Sequence, residues 1–353
     1  MDSEDRPQMT PIGLIGFGRV GRRLLRELCA RTGGCPVAAV AETGLGGRDA
    51  EDMTRDLAYL LAHDSAAGRF PGRVEARGSS LVVQGRQVPV FYGGHPAKID
   101  WAGLGVRLVV EASGDPSAAG EARSLVGRGV EKLVITRSEA RADVIVVRGV
   151  NLDSYDPARH HVVSCSTCTA NALAPVLKLL DEAYGIEAGS LASVHPALSG
   201  DTLLDSPACL GVKGRSGLFV RPVMSEMART TAALLPRLAG RLVAMSLRVP
   251  TLVVNALLAD LTLARPPARR EEAVELLRRA AAGPLQGVMA LEEGFLGQAR
   301  AAVDFAGDPH SALVDLNWLE LSGPLLRLLL WHDNEYAYVC RVADTLEMID
   351  RSL

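Results

Sequence analysis

Cys168 and His195 are the two residues of this sequence whose types and spacing suit covalent chemistry. Cys168 lies in HVVSCSTCTANALAPVLKLLDEAYG, where an apolar strand-like run passes into a helical pattern near Thr169, so the thiol falls at a helix N-terminus. Unsatisfied amides give that end partial positive charge, and with a histidine nearby the expected thiol pKa is below the ordinary range. The helix runs for about fifteen residues, roughly 23 Å of rise, until Gly185 ends it. The strand GSLASVH then returns over a similar distance, which brings His195 back beside Cys168 as its general base. Pro175, inside the helix, predicts a distortion there. Taken singly, a buried inert cysteine and a structural histidine are the commoner fates of such residues. What lies upstream changes that weighing.

The run IGLIG at residues 12–16 leads directly into Gly16, Gly18 and Gly21 and then into the helical pattern RRLLRELCA. In a strand–turn–helix unit of this kind the first glycine makes the turn, the second admits a pyrophosphate and the third lets helix and strand pack closely. The helix N-terminus then faces the phosphates. A second apolar run, VAAVAE, ends in Glu42, 21 residues beyond Gly21. A carboxylate there accepts ribose hydroxyls and repels a 2′-phosphate, which predicts NAD rather than NADP. A glycine turn needed only for packing has the same spacing. Further alternation follows in VRLVVEAS, a helix around 117–127, EKLVITR and ADVIVVRGV. That pattern predicts a doubly wound parallel sheet, with Ser113 and Gly114 just past the carboxyl end of one strand, where such sheets bind ligands.

The 353 residues are 48% hydrophobic and 22% charged, enough for two buried cores. A formal net charge of −3 and scattered arginines offer no face for nucleic acid. No apolar run reaches a membrane span, and the polar start MDSEDRPQMT lacks a signal-peptide core, so the expected location is the cytoplasm. Six scattered cysteines are expected to be free thiols. Cys165 and Cys168 form a C-x-x-C; without a second cysteine or histidine pair it predicts no metal, while a reversible disulfide stays open. The stretch ARPPARREEA, 264–273, is expected to be a loop within a domain.

The segments GFGRVGR, HDSAAGRF, EASG, STCTANALAP, SVH, RVPT and WHDNEYAY together resemble the glyceraldehyde-3-phosphate dehydrogenase family from Ile12 to Ile349. LLDEAYGIEAG and DPHSALVD are also similar to the related erythrose-4-phosphate dehydrogenases. The resemblance implies a Rossmann NAD-binding domain over 11–167, with a C-terminal helix within 334–353 packing back on it. It implies a catalytic domain over 168–333 with a mixed or antiparallel sheet, and a homotetramer. It implies a phosphorylating aldehyde dehydrogenase acting on a sugar-phosphate aldehyde and inorganic phosphate. Gly16, Gly18, Arg19, Val20 and Gly21 would lie at the pyrophosphate, Glu42 on the ribose, Ser113 and Gly114 against the cofactor, and Asn334 and Tyr338 at the nicotinamide. Thr167, Thr169 and Ser225 would offer hydroxyls to the attacking phosphate, and Arg248 would meet the substrate phosphate.

Several positions depart from the family pattern. Cys165 replaces an asparagine, Ala172 a cysteine, Leu198 and Gly200 two threonines that grip the substrate phosphate, and Glu226 a glycine beside the attacking phosphate. The phosphate-binding arginine of the loop falls on Arg215 only with a one-residue shift. These departures predict a weak grip on a terminal phosphate unless Arg248 and the loop compensate. They keep three alternatives open: an erythrose-4-phosphate or other aldehyde dehydrogenase, a non-phosphorylating enzyme, and a catalytically reduced NAD-binding paralogue. Semialdehyde and acyl-phosphate reductases share the cysteine and histidine logic but fit the motifs less well.

Overall fold

A computed structural model describes residues 9–32, 34–42, 44, 47–198, 201 and 218–353. Contacts divide the chain into two compact units. One runs to Val146 and includes Asp153–Ser166 and Val339–Leu353; the other comprises Val147–Leu152 and Thr167–Tyr338.

The first unit is built on a nine-stranded sheet. Strand Ile12–Ile15 pairs in parallel with Val37–Glu42 on one side and Leu108–Glu111 on the other. Beyond these lie Lys132–Ile135, Val162–Ser164 and the two-residue edge strand Val144–Ile145, all parallel. Apart from the closing Glu42 and Glu111 the central strands are apolar on both faces, and every residue but Glu42 is buried, as a doubly wound sheet requires. An antiparallel meander from Val74 to Tyr92 closes the opposite edge, an addition that the sequence pattern did not show. The expected strand over 142–150 is cut to Val144–Ile145, because it has only Val162–Ser164 to pair with. Chain order reverses on either side of Ile12–Ile15, so the turns after it and after Leu108–Glu111 meet at a topological switch point. Helix Tyr336–Asp350 returns to this unit. Arg31 on helix Arg19–Thr32 donates to Asp344, Glu347 and the Cys340 carbonyl, fixing the two helices together.

The second unit is a seven-stranded sheet with both parallel and antiparallel pairs. Helix Cys168–Tyr184 and helices Met227–Leu234 and Arg270–Ala282 pack their apolar residues, among them Leu173, Leu177, Met227 and Leu277, on Leu191, Leu257, Leu261 and Leu328 of the sheet. Residues 264–269 form the loop before the last of these helices. Among the described residues no helix is long and apolar enough to cross a membrane.

Candidate active site

In the first unit the three glycines have distinct steric roles. Gly16 has φ +84°, and a Cβ there would collide with the Ser113 backbone, so only glycine lets the two strand-end turns touch. A Cβ on Gly21 would strike the Gly16 carbonyl, so its absence lets the helix start hard against the turn. Around Gly18 a Cβ would meet nothing within 4 Å, which leaves room where a phosphate must approach. Arg19 and Val20 open the helix, half-buried. Glu42, the last residue of its strand, accepts the Phe17 amide at 2.6 Å, so its carboxylate lies over the glycine turn. The Ser113 amide and hydroxyl both donate to Glu111, whose burial pushes its carboxyl pKa upward. Gly114 follows with φ +74°.

In the second unit Thr167 is the N-cap of helix Cys168–Tyr184, its hydroxyl accepting from the Ala170 amide, and Cys168 is the first helical residue. The residue before the cap, Ser166, is held at φ 57°, a left-handed conformation uncommon outside glycine. Pro175 is accommodated without a break: the helix continues to Tyr184, and the Gly185 amide closes it on the Asp181 carbonyl at φ 70°. Strand Ile186–Pro196 then brings back His195, 7% exposed, whose Nδ1 lies 2.8 Å from the Pro196 carbonyl. A carbonyl only accepts, so Nδ1 carries the proton in the neutral ring and Nε2 the lone pair.

Sheet register decides what surrounds the histidine. His195 stands directly opposite Arg248 on the parallel neighbour, and Ser193 opposite Ser246. Thr167, Cys168, Thr169, Ser193, His195, Ser225, Ser246 and Arg248 line one recess of about 250 Å³, together with Glu226 and Thr230. All six residues expected at the thiol and the phosphates thus meet there. Ser193 and Ser246 were not anticipated, although the alternation in GSLASVH places Ser193 on the same face as His195. Behind the histidine, Ser193 donates to Asn255, whose amide contacts Nε2 of His332 at 3.4 Å. His332 is wholly enclosed, and burial with the nearby His195 pushes its pKa down to about 3. A second positive charge therefore does not arise there when His195 takes a proton.

One expectation requires correction. The Cys168 thiol is pushed above, not below, the ordinary range: burial dominates, and the Thr169 hydroxyl and the Arg248 cation only partly offset it. A helix N-terminus favours a thiolate by a fraction of what desolvation costs it. Cys165, 2% exposed, has its thiol hydrogen-bonded with Thr345 and driven by burial to a pKa of about 12. Such a thiol is a poor partner for redox exchange with Cys168. Arg248 is half-buried, and its Nη1 is enclosed with no hydrogen-bond partner among the described residues. Glu226 is mostly exposed and pairs with Arg229 at 2.8 Å, so its charge is neutralised locally and screened by solvent. Gly200 and Arg215 lie outside the described residues.

Asn334, 9% exposed, has a buried Oδ1 without a hydrogen-bond partner among the described residues, an acceptor suited to a carboxamide N–H. Asp333 accepts the Glu335, Tyr336 and Gly307 amides and so fixes the turn that presents Asn334. This bracing residue was missed, its signal being an Asp just before a helix start. Tyr338 is buried one turn along, within helix Tyr336–Asp350.

The family model described as glyceraldehyde 3-phosphate dehydrogenase, NAD binding domain, matches residues 10–118, and that described as the C-terminal domain matches residues 167–334. A glyceraldehyde-3-phosphate dehydrogenase of Kitasatospora aureofaciens is 36% identical over 344 residues, covering 97% of this chain and 99% of the relative. A glyceraldehyde-3-phosphate dehydrogenase 2 of Kluyveromyces marxianus is 33% identical over 349 residues, covering 98% of this chain and all of the relative.

Proposed function

Because the chain belongs to the glyceraldehyde-3-phosphate dehydrogenase family and is an NAD-dependent oxidoreductase of aldehydes, we propose that it oxidises a phosphorylated aldehyde through a thioester on Cys168 and releases it with inorganic phosphate. The observation that carries this reading is the convergence of Cys168, His195, Arg248, Thr167, Thr169 and Ser225 on one recess.

The Cys168 sulfur attacks the aldehyde carbon to form a C–S bond, and the carbonyl oxygen gains the negative charge. The Cys168 amide at the helix start and the protonated His195 ring stabilise that oxygen. That ring is protonated because Nε2 takes the thiol proton as the sulfur attacks; it passes the proton to the oxyanion to give the hemithioacetal hydroxyl, and the neutral Nε2 takes it back as the carbon gives up a hydride, leaving a thioester. When bound, NAD supplies the hydride acceptor and a cationic ring that favours the thiolate. Gly18 and Glu42 would hold its pyrophosphate and ribose, and Asn334 its carboxamide. The hydroxyls of Thr167, Thr169 and Ser225 orient inorganic phosphate, which attacks the thioester carbon. The C–S bond breaks, an acyl phosphate leaves and the thiolate is regenerated.

The same reading makes the enzyme a cytoplasmic homotetramer. Support for self-association comes from the sheet of the second unit, whose face opposite the helices carries Met245, Ala192, Leu258 and Leu329 in one cross-strand row and Leu247, Val194, Ala256 and Trp331 in the next. Met245 is 50% and Leu258 37% exposed in the single chain, an apolar surface that a second copy would cover. The deciding assay follows NADH formation from a panel of phosphorylated and unphosphorylated aldehydes, with and without phosphate. Phosphate-dependent oxidation of a phosphorylated aldehyde is expected. No NADH from any aldehyde would leave only an NAD-binding paralogue.

A further inference from the structure

The row of residues that holds His195 opposite Arg248 extends one strand further. Edge strand Arg221–Val223 pairs antiparallel with Leu242–Val249, and Arg221 stands directly opposite Arg248. Val223 stands opposite Ser246 in the neighbouring row, and both line the recess. Directly opposed residues share a face of a pleated sheet, so Arg221, Arg248 and His195 all point to the side on which Cys168 lies. Two guanidinium groups at adjacent cross-strand positions repel unless an anion lies between them. Asp201 meets Arg221 there: its Oδ1 accepts from Arg221 Nη2 at 2.9 Å, and its Oδ2 accepts the Leu198 amide at 2.9 Å. Asp201 is 7% and Arg221 17% exposed at the side chain. Arg248 lines the recess, and its Nη1 is enclosed with no hydrogen-bond partner among the described residues, a donor that an entering anion can meet.

Resting on the reading above, we propose that Arg221 is a specificity-determining residue, which together with Arg248 cradles the phosphate carried by the aldehyde and compensates for the two threonines replaced by Leu198 and Gly200. Asp201 holds Arg221 at its post before substrate arrives and shares it with the phosphate afterwards. A guanidinium suits this task, because its planar fork can serve a carboxylate and a phosphate oxygen together.

The first test needs no turnover. Cys168 is alkylated in parallel with iodoacetate, an anion, and iodoacetamide, its neutral analogue, in the parent, Arg221→Gln and Arg221→Lys. The ratio of the two rates reports the local positive charge at the thiol. Arg221→Gln should lower that ratio roughly three- to tenfold, and Arg221→Lys should restore most of it. The second test compares glyceraldehyde 3-phosphate with unphosphorylated glyceraldehyde. Arg221→Gln should raise KM about tenfold or more for the former, with kcat little changed, and leave the latter unaffected. An unchanged alkylation ratio, or equal losses on both aldehydes, would overturn the proposal. If the parent oxidises neither aldehyde, the functional reading falls, and the alkylation ratio alone still decides whether Arg221 forms an anion cradle.

Discussion

At the scale of the residue, the proposed reaction depends on a thiol whose burial pushes its pKa upward. Burial raises Cys168, and Arg248 is the cation that works against that rise. Thiolate is the reactive form, so alkylation of the cofactor-free enzyme by iodoacetamide should climb with pH through a value above the ordinary figure of about 8.5. Arg248→Ala should move that value further up. A rate already level below about pH 7 would mean an ion-paired thiolate of the papain type, contrary to this geometry. Cys168→Ser should abolish oxidation while leaving NAD binding nearly intact, since a hydroxyl in the same place is a far weaker nucleophile. His195→Asn should lower kcat by roughly 10²- to 10⁴-fold. A loss of less than about tenfold in the same assay would assign the proton transfer elsewhere.

At the scale of the element, the glycine turn separates packing from binding. Gly21 is needed because its neighbour is the Gly16 carbonyl, whereas Gly18 has open space around it. Gly21→Ala should therefore destabilise the fold, by about 1 to 3 kcal/mol, visible as a lower Tm without any ligand. Gly18→Ala should leave Tm unchanged and raise the Kd for NAD, measured by calorimetry, since its methyl group would occupy the phosphate's space. The reverse pattern would mean that Gly18 has only a packing role. Glu42 belongs to the same element, and its carboxylate over the turn should give NAD a clear advantage over NADP in kcat/KM. In the second unit Pro175 shows how context overrides a local rule. Its missing N–H removes one helix bond, but the helix is buried along most of its length and, packed so, continues to Tyr184.

At the scale of the whole molecule, release of the acyl group and assembly are the two properties that a single side chain does not decide. The Glu226–Arg229 pair is exposed, so a carboxylate beside the entering phosphate has its charge largely cancelled. Rates should saturate with phosphate in the parent, and Glu226→Gly should change the phosphate KM by less than about tenfold. Turnover independent of phosphate would establish hydrolysis instead. Met245→Glu together with Leu258→Glu places charges in the apolar row of the sheet's outer face. Light scattering should then show a mass below that of the parent assembly. An unchanged mass would exclude this face as an interface.

The sequence by itself determined the parts that are local in the chain. The strand, glycine turn and helix with Glu42 at the next strand end were legible because each role is a backbone requirement within a few residues. Cys168 and His195 were legible as a pair because a helix and the strand after it cover matching distances. Tertiary structure decided the rest. The register that sets Arg221 and Arg248 beside His195 joins three strands far apart in sequence, and no periodicity within one strand encodes it. The direction of the Cys168 pKa likewise turned on burial by residues from several elements. A helix N-terminus can be read from sequence, but desolvation is a sum over everything the fold packs around a group.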